Sequence, residues 1–259
     1  MSDVAEAYSA TGAAWQAGPG RIYDRMAQEL VRRSPVPLGG RVVLDLGAGT
    51  GAASRAVAAA GGHPVAADVA FGMLAVDRRR RPPAVQCDAT RLPVVGAGLG
   101  GVVAACSLNH LPDPGSALVE CRRVVGSGSP ILASSYAEGD DHPVKGAVVE
   151  ALAERGCPPP AWYVTFATEV APLLARPDGW AAVAHRAGLE GTVEEVRVAF
   201  PELDAGDLVD WRLGMAQHAP SVAGLAVEER GAVRRRALEL LGTAPPLVRS
   251  VLVLAAVVP

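Results

Sequence analysis

The stretch Val42-Val43-Leu44-Asp45-Leu46-Gly47-Ala48-Gly49-Thr50-Gly51 constrains this chain more than any other. An apolar run of strand type enters a glycine-rich turn, and the alanine-rich residues 52–60 that follow read as a helix. Glycine permits positive φ and lets a ligand come close to the backbone. Amides at a helix start favour an anionic or carboxylate group. Asp45 sits two residues before the first glycine, where it suits a ligand with an ammonium group and would repel a pyrophosphate. Dinucleotide-binding turns use Gly-x-Gly-x-x-Gly; the third position here is Ala52, a tolerated variant, so the glycine spacing alone does not separate the two ligand types.

Beyond this unit, strands and helices alternate along the chain, with no internal sequence repeat. Strand-like runs at 41–46, 64–67, 84–87, 101–106 and 130–135 alternate with helical segments at 52–60, 71–79 and 114–125. That order predicts an α/β fold with a mostly parallel sheet covered by helices on both faces. Further helices are predicted at 22–33, 143–155, 177–187, 203–217 and 227–241, and strands at 192–200 and 250–258, whereas 8–15 reads as turn-rich. One domain over 1–259 is expected: a helical cap at 1–40, a core at 41–135, and insertions at 138–168 and 201–247. Ligands of open α/β sheets bind at the carboxyl ends of the strands, so the insertions are expected there as lid and substrate walls.

Two more acids follow at strand ends. Asp68 can accept hydrogen bonds from a pair of ribose hydroxyls, and Asp88, in Cys87-Asp88-Ala89-Thr90, from an exocyclic adenine amine. Taken singly, each is equally a helix cap or turn residue. Three acids at three successive strand ends form a much sharper pattern. With the glycine turn, they resemble the class I S-adenosylmethionine-dependent methyltransferase family, over roughly residues 41–135 and more loosely over the whole chain. The branch most similar contains small-molecule enzymes of quinone and bacterial natural-product biosynthesis.

The resemblance implies a Rossmann-like seven-stranded sheet completed by an antiparallel last strand, here 250–258. It implies S-adenosyl-L-methionine as cofactor, with Asp45, Gly47, Ala48, Gly49 and Gly51 around the methionine part. Asp68 would take the ribose, Val69 and Met73 would flank the adenine, and Asp88 with Ala89 would meet its amine. The segment Cys106-Ser107-Leu108-Asn109-His110-Leu111-Pro112-Asp113 would lie beside the sulfonium, which brings in Ser107. Tyr8 matches an N-terminal tyrosine that closes over the cofactor, and Tyr23 of the same cap joins the cofactor set; both are equally core residues. The expected activity is methyl transfer to a small molecule, a secondary metabolite. The alternatives are a non-methylating enzyme of the same fold, such as a cyclase, or an NAD(P)-dependent oxidoreductase. No Asn/Asp-Pro-Pro-Tyr follows the fourth strand, which argues against DNA base methylation.

Methyl transfer from a sulfonium is an in-line displacement, so positioning and replacement of water around the cation carry much of the rate. Some acceptors also need a base. His110 is the first candidate because of its loop, with a capping or core histidine as the plainer reading. His142, in Glu138-Gly139-Asp140-Asp141-His142-Pro143, is a second, with a polar loop before a helix as its plainer reading. The same cluster lacks the further histidine or acid that a metal site needs, so no metal is expected. Tyr136, Trp162, Tyr163, Trp211, Met215 and His218 are candidates for an acceptor pocket.

Composition sets the remaining bounds. Half of the residues are hydrophobic and the net charge is −3, which predicts a globular protein with no general attraction to nucleic acid or an anionic membrane. Two arginine clusters, 78–81 and 234–236, read mainly as solvated helix faces, with a phosphate or partner contact as the alternative. Cys87, Cys106, Cys121 and Cys157 form no Cys-x-x-Cys pair, and Cys87 and Cys106 read as buried thiols of a reducing compartment. Residues 1–7 contain Asp3 and Glu6 and no apolar run, which predicts no signal peptide. No apolar run approaches the ~20 residues of a membrane span. The expectation is a cytoplasmic monomer or homodimer.

Overall fold

Apolar runs rich in valine, leucine and alanine form the strands of one sheet in the computed structural model, which describes residues 3–259; the start of segment 1–7 lies outside the described residues. In chain order the elements are α1 (Asp3–Ser9), α2 (Gly12–Ala17), α3 (Gly20–Arg32), β1 (Val42–Leu46), α4 (Ala52–Ala59), β2 (His63–Asp68), α5 (Phe71–Ala75), β3 (Ala84–Gln86), β4 (Gly101–Ala105), α6 (Pro114–Val124) and β5 (Pro130–Tyr136). They continue as α7 (Val144–Ala153), α8 (Ala161–Thr165), α9 (Pro177–Arg186), β6 (Glu190–Phe200), α10 (Ala205–Leu213), α11 (Ala219–Gly224), α12 (Val227–Leu241) and β7 (Leu247–Val257).

The seven strands run in the order β3-β2-β1-β4-β5-β7-β6. β1 pairs in parallel with β2 and β4, and β7 pairs antiparallel with both β5 and β6. This is the Rossmann-like, mostly parallel sheet expected from the sequence. Successive residues of a strand point to opposite faces. Val43, Val103, Leu132 and Val253 therefore share a core with α3, α4, α7, α10 and α12. Leu44, Val102, Ile131 and Leu252 face the other way, against α6 and α9. Trp180 of α9 is fully buried there, and its indole N–H donates to Ser135 Oγ at 2.7 Å.

β6 and β7 pair along their whole length, while β7 meets β5 only from Val251 onward. Residues 197–200 and 247–250 therefore run past β5, and α10, α11 and α12 join these projecting ends. The insertion 201–247 is this connection, and it packs with α7.

Two local readings change, and a third segment takes a form that the sequence alone does not assign. The helix predicted over 71–79 stops at Ala75: Val76 is extended and Asp77 has φ +49°, which turns Arg81 back toward the glycine loop. Segment 8–15 belongs to two short helices instead of turns. They dock on α5 so closely that a Cβ on Gly72 would lie 1.8 Å from the Ser9 carbonyl oxygen. Beyond the Pro158-Pro159-Pro160 break, α8 passes into a π turn over Phe166–Val170, and none of the residues from Ala161 to Val170 is fully buried. Among the described residues no helix is long and apolar enough to cross a membrane.

Candidate active site

The strand order reverses between β1 and β4, and a crevice opens at the carboxyl ends of strands at such a switch point. Here it is a cavity of about 570 Å³, walled by the glycine loop, the ends of β2 and β3, the segment after β4, the N-terminal cap and α8 with its π turn.

The glycine loop curls back on the sheet. Gly47, Gly49 and Gly51 have φ of +69°, +52° and +91°. The amides of Gly47 and Ala48 both donate to the Ala67 carbonyl, at 2.8 and 3.0 Å, and that of Gly51 donates to the Ala48 carbonyl at 2.7 Å. Gly49 donates to Asp68 Oδ2 at 2.7 Å. Much of the amide array expected to face a ligand is thus used to hold the loop, leaving the amides of Thr50, Ala52 and Ala53 on the cavity wall. Gly47 is needed on two counts: its positive φ, and the space taken by Ser107, whose Cβ would sit 2.2 Å from a Cβ at 47. Ser107 Oγ–H donates to the Leu46 carbonyl at 2.7 Å, tying the segment after β4 to the end of β1.

The acids differ in their surroundings. Asp45 is 1% exposed, and its Oδ2 accepts from the Ser54 amide (2.7 Å) and hydroxyl (2.6 Å), which leaves Oδ1 uncommitted. Burial pushes its carboxyl up to about 6, against the two Ser54 bonds. Asp68 accepts from Gly49 through Oδ2 and from Ala70 through Oδ1 at 2.8 Å, and burial likewise raises it. A carboxylate has about four lone-pair sites, so two remain for a ligand. Asp88 is exposed on the rim, with Oδ1 held by Thr90 at 2.8 Å. Arg81 lies behind the loop. It donates to the Gly49 carbonyl at 2.8 Å and to that of Met73 at 3.3 Å, and its charge is felt by Asp45 and Asp68. Arg78, Arg79 and Arg80 are exposed, so only the last member of that cluster turns inward. Arg234 and Arg236 pair at the surface with Asp210 and Glu154.

Opposite the loop stands an aromatic wall. Tyr8 Oη and His110 Nε2 share a hydrogen bond at 3.2 Å. The His110 ring stacks on Phe166, with centroids 4.4 Å apart and planes at 10°. Burial lowers His110 to about 4 and raises Tyr8, so near neutrality both rings are uncharged and His110 is a weak base. Trp15 and Tyr23 pack beside Tyr8, their centroids 4.7 Å apart and their planes tilted by 45°.

The cavity brings together Tyr8, Tyr23, Asp45, Gly47, Ala48, Gly49, Asp68, Val69, Met73, Asp88, Ala89, Ser107 and His110. Gly51 stands behind it as the N-cap of α4. His142 is a correction: it does not reach the cavity. Its Nδ1 accepts from the Val144 amide at 3.3 Å, so its Nε2–H donates to the Pro245 carbonyl at 2.9 Å, and the ring joins the start of α7 to the segment before β7. Cys87 is half-buried instead of buried because it lines the cavity; Cys106 and Cys121 are buried. Of the candidate acceptor residues, Trp162 lines the cavity, whereas Tyr136, Tyr163, Trp211, Met215 and His218 do not. Ser54, Arg81 and Phe166 were missed. Ser54 faces Asp45 one helical turn into α4, but a serine within a helix carries no distinct sequence signal. Among the described residues no group of three or more His, Cys, Asp and Glu side chains is placed to hold a metal ion.

The fold is that of a doubly wound α/β protein with a ligand-sized crevice at the switch point. The family model described as "Methyltransferase domain" matches residues 44–133. The demethylmenaquinone methyltransferase of Renibacterium salmoninarum is 31% identical over 222 residues, 78% of this chain and 90% of that protein. That of Streptomyces avermitilis is 29% identical over 218 residues, 77% and 92% of the two chains. Among solved structures, Haemonchus contortus phosphoethanolamine N-methyltransferase 2 with S-adenosyl-L-methionine has a TM-score of 0.54 at 18% identity, over 90% of this chain and 52% of that one. The [4+2]-cyclase SpnF has a TM-score of 0.55 at 20% identity, over 95% and 84%. The chain belongs to the S-adenosylmethionine-dependent methyltransferase family. It is a methyltransferase that uses S-adenosylmethionine.

Proposed function

We propose that the cavity holds S-adenosylmethionine between the glycine loop and the aromatic wall, with the acceptor entering beneath α8 and the π turn. The observation that carries this reading is the set of acids at the ends of β1, β2 and β3 around one cavity, each with a free carboxylate site. Asp45 Oδ1 would receive the ammonium of the methionine part, and the amides of Thr50, Ala52 and Ala53 its carboxylate. Asp68 would hold the ribose hydroxyls, Val69 and Met73 would flank the adenine, and Asp88 with Ala89 would meet its amine. When bound, the cofactor supplies a methyl group on a cationic sulfur.

The chain's own part is then positioning. Ser107 keeps the segment after β4 against β1, which sets where the acceptor wall begins. Tyr8, His110 and Phe166 form a neutral, water-excluding wall, and such a wall suits a reaction in which positive charge is lost. His110 acts as a hydrogen-bonding wall residue more than as a base. The names of the relatives favour an acceptor with an aromatic ring, and Trp162 and Phe166 offer flat apolar faces for one. The remaining parts of the reading are a cytoplasmic enzyme, monomeric or homodimeric, without nucleic acid or membrane as partner.

The test is calorimetric titration of S-adenosylhomocysteine into wild type and Asp68→Asn, together with label transfer from methyl-labelled cofactor. Loss of binding in the variant and labelled product from wild type support the reading. Equal affinity in both proteins refutes the assignment of the acids.

A further inference from the structure

A second polar region lies on the far side of Tyr23 and Cys106, where β5 ends, β7 begins and α10 crosses. Arg249 is 3% exposed, with its guanidinium 4.2 Å from the Tyr136 ring centroid and 5.0 Å from that of Trp211. Its Nη2 pairs with Asp140 Oδ2 at 2.5 Å, while Nε and Nη1 have no hydrogen-bond partner. Arg212 is 5% exposed and lies 5.5 Å from the other side chain it shares with Arg249, Trp211. Among the described residues its guanidinium has no ion pair, and its buried Nε has no hydrogen bond. Lys145, the chain's only lysine, completes the group: it donates to the Asp140 carbonyl and lies 3.4 Å from Asp141.

Two features of this region point to a ligand. First, most of its unpartnered buried atoms are donors: Arg249 Nε and Nη1, Arg212 Nε and Trp211 Nε1 only donate, the Tyr136 hydroxyl can donate or accept, and the one pure acceptor, Asp140 Oδ2, already faces Arg249 Nη2. A buried guanidinium without an anion is strongly unfavourable, since desolvation is not offset by pairing. Second, the charges do not balance. Arg249, Arg212 and Lys145 face Asp140 and Asp141, three cations against two carboxylates, and Asp141 is 77% exposed at its side chain. The excess is one positive charge, which matches a carboxylate better than a phosphate dianion. A dianion would also crowd the buried Asp140 carboxylate.

The region borders the cavity. Cys106 and Tyr23 both line the cavity, and both feel the charge of Arg249. Cys106 Sγ is 3.6 Å from Ser134 Oγ, and Tyr136 follows Ser134 by two residues on the same face of β5. Tyr23 and Cys106 are thus the side chains that stand between the arginines and the cavity.

Resting on the methyltransferase reading above, we propose that the acceptor is a small carboxylic acid, whose carboxylate is received by Arg249 and Arg212 beside Trp211. Planar guanidinium forks suit a planar carboxylate, and a neutral isostere would leave them unpaired.

The test uses wild-type protein saturated with S-adenosylhomocysteine. Benzoate, salicylate and 1-naphthoate are titrated against it calorimetrically, each beside its neutral amide. The expected result is binding of at least one carboxylate, about tenfold or more tighter than its amide, and a loss of about tenfold in Arg212→Gln. Arg212→Lys is expected to recover part of that loss. Arg212 holds no other side chain in place, so this variant avoids the fold loss that Arg249→Gln risks by leaving Asp140 alone. S-adenosylhomocysteine affinity should be unchanged in Arg212→Gln. Equal binding of acids and amides, no carboxylate binding, or an unaffected Arg212→Gln would overturn the proposal. Failure of the cofactor reading looks different: wild type would not bind S-adenosylhomocysteine, whatever the carboxylates do.

Discussion

The two sides of the cavity are built by opposite means. On the loop side, backbone and short carboxylates do the holding: Gly47, Ala48, Gly49, Asp45 and Asp68 each have a hydrogen-bond partner within the protein. On the facing side, large rings pack on one another, stacked between His110 and Phe166 and edge-on or tilted elsewhere. Tyr8, His110, Phe166 and Trp162 come from a short N-terminal helix, a single turn after β4 and a π-turn segment with no fully buried residue. The first side is rigid because its conformation is set by hydrogen bonds to β2 and by φ values that only glycine adopts freely. The second is held by ring contacts and the single Tyr8–His110 hydrogen bond, and can yield when a ligand enters. That difference suits a cofactor that is always the same and an acceptor that varies between enzymes of one fold.

The comparison can be broken most severely at Gly47. Gly47→Ala forces a Cβ into Ser107 at positive φ, and should lower unfolding stability by about 1–3 kcal/mol while abolishing measurable cofactor binding. Denaturant melts and calorimetry on the same samples check both. Next comes Asp45→Asn, which keeps an acceptor for Ser54 but removes the charge. Cofactor affinity should fall about 30- to 100-fold, ~2–3 kcal/mol. The unliganded protein should not lose stability, because burial already disfavours that charge.

The pH dependence sharpens the same point. Asp45, with a folded-state value raised to about 6, is protonated in the free protein below that pH. An ammonium group needs the ionised form, so affinity should be flat above about pH 6 and fall by up to about tenfold per unit below it. For stability the sign is reversed: an acid raised above its unfolded value destabilises the free fold as pH climbs from about 4 through 6. His110, lowered to about 4, acts the other way, its stabilisation being lost as pH falls from about 6.5 toward 4. The two effects oppose each other in melting curves, so binding is the cleaner readout.

Smaller effects are expected on the aromatic side. Phe166→Ala removes the stacking partner of His110 and should raise the acceptor KM about fivefold, with cofactor affinity changed by less than about twofold. An equal rise in both would dissolve the distinction between the two walls. His142→Ala should cost about 1–2 kcal/mol of stability through its bonds to Pro245 and Val144, with kcat within about twofold of wild type. A large loss of kcat in a folded His142→Ala protein would return that histidine to the reaction.

Legibility followed the range of the interactions. The strand-turn-helix at 42–59 was readable because apolar alternation, glycine spacing and Asp45 all act within a few residues of one another. The mostly parallel character of the sheet was readable once several such units were counted, since strands joined by helices cross over in parallel. Arg81 was not, because the turn at Asp77 that brings it back to Gly49 breaks a helix that periodicity alone continues. The π turn was not, because Phe166 gains its place only by stacking on a histidine far away in sequence.

The glycine turn and its acids, then, are properties of the sequence itself: local geometry and short-range charge put a positive-φ turn and carboxylates at the ends of β1 and β2. Only the tertiary structure decided what faces them. It removed His142 from the site, made His110 a weak base through burial beneath Tyr8 and Phe166, and gathered Arg212, Arg249 and Lys145 from separate elements behind Tyr23. Those outcomes depend on desolvation and on contacts between residues distant in sequence, and neither exists until the chain has folded.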